Sequence, residues 1–154
     1  MSLTQVQPQM SLGGPAFSAY QSSTQSVPNA TWTKVQLNVK EFDTNNCFDN
    51  TTNYRFTPTV AGYYYVLGTT NYTAITSTSN WSTIQIGKNG TLVKYGTNQL
   101  GTPNGAQCLV TALIYLNGTT DYIELYTYQS SGASSTLQNA SNNTYFSAAM
   151  VRSA

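Results

Sequence analysis

The stretch Leu109-Val110-Thr111-Ala112-Leu113-Ile114-Tyr115-Leu116 sends apolar side chains to both faces of any strand it forms. Gly62-Tyr63-Tyr64-Tyr65-Val66-Leu67 does the same, because three consecutive tyrosines in a strand must alternate sides. A strand of an antiparallel sandwich ordinarily turns one face to water, so a second apolar face calls for a second cover. No amphipathic helix pattern occurs to provide it. The economical cover is another copy of the chain. Tyr63, Tyr65, Leu113 and Tyr115 are the side chains expected on that contact, with Tyr126 from the segment Tyr122-Ile123-Glu124-Leu125-Tyr126-Thr127-Tyr128.

The rest of the chain reads as short strands. Lys34 to Lys40 alternates strictly, with Val35, Leu37 and Val39 on one face, and predicts a half-buried strand. Thr83 to Lys88, then Asn89-Gly90, then Thr91 to Tyr95 predicts a hairpin, since Asn-Gly accepts the positive φ angles of a type I′ turn. The same reasoning places a second hairpin at Asn117-Gly118, joining 109–116 to 122–128. Thr144 to Arg152 predicts a closing strand whose Ser147, Ala148 and Ala149 suit close packing inside a sheet. Polar, turn-rich stretches at 69–82, 96–107 and 129–143 are expected loops. Many strands without helices imply an all-β sandwich or jelly roll, with residues 1–14 as a polar arm and 15–154 as one head domain.

Charge narrows the partners. Only 7% of the 154 residues are charged and the formal net charge is +1, which leaves no long-range field for nucleic acid or an anionic membrane. Twelve tyrosines, two tryptophans and five phenylalanines set the chain apart from disordered polar sequences. Residues 1 to 15 lack the basic start and apolar stretch of a secretory signal, so export would use another route or a leader not included here. Cys47 and Cys108 have no CxxC neighbour; two buried thiols is the simpler reading beside one disulfide. Asn-x-Ser/Thr sequons stand at Asn29, Asn50, Asn71, Asn80, Asn89, Asn117, Asn139 and Asn142, and those at Asn89 and Asn117 are better explained as turns than as glycosylation sites.

Catalysis fits poorly, because the chain has no histidine and five carboxylates. Asp43 and Asp49 could approach one another as a carboxylate pair, or with Asn45 and Asn50 offer oxygen ligands to calcium, but residues of this kind also bond their own backbone in Asx turns. No cofactor is implied. Tyr72 and Trp81 in one polar stretch, with Tyr95, Asn98 and Gln99 near the next, could set flat apolar faces beside amides and so bind sugar. Against that, Trp32 and Trp81 could simply fill the core.

Several residues together resemble the globular head of complement component one, q subcomponent. They are Pro15-Ala16-Phe17-Ser18-Ala19-Tyr20, the run from Tyr54 through Phe56-Thr57-Pro58-Thr59-Val60-Ala61-Gly62 to Val66, Lys88-Asn89-Gly90, Leu116-Asn117-Gly118 with Asp121, and Tyr145-Phe146-Ser147-Ala148. Ala148 stands where that family usually has glycine, and Thr119 and Thr120 displace the Asp that usually follows the turn. The resemblance implies a ten-stranded jelly roll of the complement q and tumour necrosis factor type, assembled as a homotrimer, with a calcium site near the axis in some members. The opening Met1 to Met10 looks like the short arm of many bacteriophage appendage and capsid-decorating proteins. The resulting expectation is a non-enzymatic bacteriophage virion protein, a tail-fibre head or capsid-decoration knob. It would dock on other virion proteins through residues 1–14 and could touch a host-surface glycan. The alternative is an extracellular, complement-like recognition module for carbohydrate or a protein receptor.

Overall fold

A computed structural model describes residues 13–154 apart from 74, 76–78 and 103–104. The docking arm expected at 1–14 therefore lies outside the described residues except for Gly13 and Gly14. The early chain forms short strands: β1 Ala16–Tyr20, β2 Gln25–Val27, β3 Thr33–Lys34, β4 Val39–Asp43, β5 Phe48–Asp49 and β6 Arg55–Phe56. Longer strands follow as β7 Ala61–Tyr72, β8 Trp81–Lys88, β9 Thr91–Leu100, β10 Ala106–Asn117, β11 Ile123–Gln129, β12 Ser135–Leu137 and β13 Tyr145–Ser153. The expected ten strands thus appear as thirteen segments among the described residues, because the chain before β7 is cut into six short pieces.

Two sheets face each other. In the first, β7 lies between β10 and β13, and β13 continues through β1 to β4, with β12 and β2 at the far end of β7. In the second, β11 and β8 are central, β9 closes one edge, and β6, β5 and β3 flank β11. All pairings are antiparallel. Thr97 Oγ1 accepts the Leu109 N–H at 2.8 Å and ties β9 to β10 where the two sheets meet.

Turn chemistry places one hairpin as expected and relocates the other. Asn89 (φ 53°) and Gly90 (φ 78°) link β8 to β9, with Lys88 opposite Thr91. Asn117-Gly118 makes no hairpin, because β10 pairs with β7 in the first sheet and β11 with β8 in the second. The connection crosses between sheets, and Asn117 Oδ1 accepts the N–H groups of Thr119, Thr120 and Asp121 at 2.9–3.0 Å. The strand expected at 34–40 also divides. Thr33–Lys34 pairs with β11, whereas Val39 onward pairs with β1, so the chain changes sheets while Val35 and Leu37 stay buried. The stretches read as loops are shorter than expected, since β7 runs to Tyr72, β9 to Leu100 and β10 starts at Ala106.

Rings join the sheets. Phe17 of β1 stacks on Phe48 and Phe56 of the second sheet at 4.5 and 4.6 Å and meets Phe146 of β13 edge-on at 5.3 Å. Val66, Val110, Ile114 and Leu116 close the core from one side, and Ile84, Ile86, Ile123 and Leu125 from the other. Cys47 and Cys108 are separate buried thiols, and burial pushes the Cys108 thiol up.

Candidate functional site

The two-faced strands end up side by side. In β7, Tyr64 and Val66 point into the core while Tyr63 and Tyr65 stay 42% and 48% exposed. Opposite them in β10, Leu113 pairs with Tyr65 and Tyr115 with Tyr63, both outward, whereas Ile114 and Leu116 are buried. The Tyr63 and Tyr115 rings lie 5.6 Å apart. Ala149 of β13 is opposite Tyr65, and a register shift after Met150 adds Val151 to the same surface at 58% exposure. That irregular backbone comes so close to β7 that a Cβ at Gly62 would stand 2.4 Å from the Arg152 carbonyl oxygen. Beside the bulge an open depression of about 660 Å³ is lined by Tyr63, Leu113, Val151 and the last three residues. One sheet face is therefore contiguous, aromatic-aliphatic and exposed.

Tyr126 does not belong to that face. It lies on β11 in the second sheet, over Gly87, and its hydroxyl donates to Glu124 Oε2 at 2.9 Å, while Lys34 pairs with the same carboxylate. Burial and the Glu124 charge push its phenol up to about 12. Tyr126 leaves the sandwich on the side opposite the Tyr63 to Tyr115 surface, so its place in a common contact is withdrawn.

The residues expected to hold sugar separate in the same way. Tyr72 is fully buried at the end of β7, its hydroxyl 2.8 Å from Thr127 Oγ1 across the sandwich, and burial pushes its phenol well up. It is a core residue. Trp81, Tyr95 and Asn98 share the outer face of the second sheet, with Trp81 opposite Leu100, Tyr95 opposite Gln85 and Asn98 opposite Thr83. Gln99 alternates away, opposite the buried Ser82. Two residues outside the sequence-derived set complete this second surface. Tyr128 stacks on Trp81 at 4.9 Å, and Trp32 lies 5.4 Å from Tyr128 and 5.9 Å from Tyr95. The signal for Tyr128 was its alternation with the core residue Thr127; Trp32 precedes a two-residue strand and carried none.

Asp43 and Asp49 are used by the backbone. Asp43 accepts the N–H groups of Cys47 and Phe48 at 2.8 and 2.9 Å and pairs with Lys40 at 2.9 Å. Burial would raise its pKa, but these hydrogen bonds outweigh it and leave the carboxyl below 3.8. Asp49 accepts the N–H groups of Thr51, Thr52 and Asn53, which holds its carboxyl far below the usual range. Both carboxylates cap their own turns, and of the two only Asp49 lines the open polar depression there, beside Lys40 and Asn50.

Comparison with solved structures supplies the family of folds. The globular domain of zebrafish complement 1qA protein superposes with a TM-score of 0.67 at 15% identity, covering 91% of this chain and 99% of that one. Murine APRIL gives 0.65 at 11% identity over 90% and 99%. The PRD1 vertex protein P5 gives 0.64 at 15% over 91% and 99%. The chain has the jelly-roll fold of complement q and tumour necrosis factor. No sequence-family description and no curated protein sequence matches it.

Within this jelly roll the departures from the complement q pattern are absorbed locally. Ala148 is 4% exposed between Phe17 and Val66, so the methyl group fits where glycine is usual. The displaced Asp121 still closes the end of the sandwich. Its carboxylate takes Lys88 Nζ at 2.8 Å, Asn89 Nδ2 at 2.7 Å and the Asn117 N–H at 3.1 Å, fastening the β8–β9 turn to the inter-sheet connection.

Proposed function

We propose that the chain is a non-enzymatic virion structural protein that works as a homotrimer, either a fibre head or a capsid-decorating knob, with the Tyr63, Tyr65, Leu113 and Tyr115 face buried between copies. The observation that carries this reading is the alternation on β7 and β10, which fills the core with one set of side chains and leaves a second, aromatic-aliphatic set outside. The structural likeness to the PRD1 vertex protein P5 supports the virion setting.

The carboxylates support a role without catalysis. All five are engaged: Glu41 with Ser18, Asp43 with Lys40, Asp49 with its turn, Asp121 with Lys88 and Glu124 with Lys34. The chain also has no histidine, the commonest general base. Residues 1–14 would dock the head on a neighbouring virion subunit. The likeness to complement 1qA supports a second reading, a secreted recognition module. Solution mass tests the core of the proposal, with a species of about three times 16.7 kDa expected and a stable monomer refuting it. Removing residues 1–14 should leave the protein trimeric and abolish incorporation into particles; unimpaired incorporation would refute the docking role.

A further inference from the structure

The outer face of the second sheet carries a file of four aromatic rings. Trp81 of β8 stacks on Tyr128 of β11 at 4.9 Å and 26°, Tyr128 meets Trp32 at 5.4 Å, and Trp32 meets Tyr95 of β9 at 5.9 Å and 82°. Tyr128 is the register partner of Thr83 and Tyr95 of Gln85, so an indole that reaches both rings must cross above β8. The burial agrees. Thr83 and Gln85 leave the sheet on this outer side, by alternation with the core residues Ile84 and Ile86, yet they are only 0% and 4% exposed. The rings are their cover, and Tyr95 at the end of the file remains 62% exposed.

We propose that this file is a binding platform for neutral saccharide chains. Aromatic faces offer a flat apolar surface to the C–H side of a sugar ring, and the exposed amide of Asn98 on the same side can bond its hydroxyls. The charge pattern selects against other ligands that stack. Single-stranded nucleic acid needs cations beside the rings, but Lys34 on this face is paired to Glu124, and the chain has six basic residues against five acidic ones. Mutual contact also holds Tyr128 between Trp81 and Trp32, which lowers the ordering cost of binding. The platform lies on the sheet opposite the proposed contact between copies and does not depend on it.

Both tryptophans of the chain belong to the file, so a ligand seated there must change the intrinsic tryptophan emission. The full-length protein should be titrated with short chito-, cello-, malto- and manno-oligosaccharides. At least one series should give a saturable change, weakened roughly three- to tenfold by Tyr95→Ala, as loss of one stacked ring implies. Tyr95 is largely in solvent, and unchanged circular dichroism would show that the variant still folds. Phe42→Ala, an exposed ring on the other sheet, should bind like the parent. Three results would overturn the proposal: no saturable change with any of the sugars, equal affinity in Tyr95→Ala, or saturation by an oligonucleotide or proline-rich peptide in place of sugar. A monomeric variant that still binds would separate this platform from the trimer.

Discussion

Leu113 and Ile114 are neighbours on β10 that should fail in opposite ways. Leu113 is 56% exposed and Ile114 is 6% exposed, so a lone chain has used about half of the burial available to the first and nearly all of that of the second. Complete burial of a leucine side chain stabilises by about 1.5–3 kcal/mol, so covering the rest of Leu113 in a trimer contributes ~1 kcal/mol per copy. Leu113→Asp removes that gain and forces an unpaired carboxylate out of water, which costs several kcal/mol more per copy. Over three copies the penalty on assembly is on the order of 10 kcal/mol, enough to dissociate a micromolar trimer. The folded monomer should hardly notice, since the new side chain points to solvent. Ile114→Ala should do the reverse, lowering unfolding stability by about 2–5 kcal/mol while the mass at low temperature stays trimeric. Sedimentation velocity over a range of concentrations, with urea unfolding of each variant, reads both effects. A Leu113→Asp protein that sediments like the parent would refute the assignment of this face.

Two further outcomes test the core and the charge locks. Phe17→Ala removes the ring that meets Phe48, Phe56 and Phe146, and should cost about 3–5 kcal/mol in urea unfolding, with Phe17→Leu costing clearly less. Because that ring spans both sheets, tryptophan emission and far-ultraviolet circular dichroism should lose their signals together, and separate transitions would count against it. With no histidine, stability should stay level between about pH 5 and 8. The Asp121 carboxyl is held below 3.8 chiefly by the Lys88 hydrogen bond, and Asp43 is held below 3.8 because its hydrogen bonds outweigh burial. A depressed folded-state pKa gives stability that is present above the unfolded value and is lost as pH falls through the folded one, so the urea midpoint should drop below about pH 4. Asp121→Asn should lower the midpoint at neutral pH and flatten that acid decline; an unchanged acid limb would show that the Lys88 contact contributes little.

What the sequence made legible follows from how far each signal reaches along the chain. Alternation is a property of adjacent residues, so the inward and outward sets of β7 and β10 could be sorted before any strand had a partner. Partner choice is not local. Asn-Gly at 89–90 closes a hairpin because β8 and β9 pair, but the same dipeptide at 117–118 serves a crossing, because β10 is already taken by β7. The run from Lys34 to Lys40 misleads for a related reason. Both sheets of a sandwich face one interior, so a chain passing from β3, paired with β11, to β4, paired with β1, keeps its apolar rhythm while its hydrogen-bond partner changes, and nothing in the rhythm marks the switch. Polar surroundings hid Tyr72, whose hydroxyl is satisfied by Thr127 from the facing sheet. The aromatic file was legible in half, through Trp81 and Tyr95; that Trp32 and Tyr128 join them follows only when β3, β8, β9 and β11 share a sheet. A surface assembled from distant segments has no spacing to read, and in this chain it stands on the sheet opposite the two-faced strands.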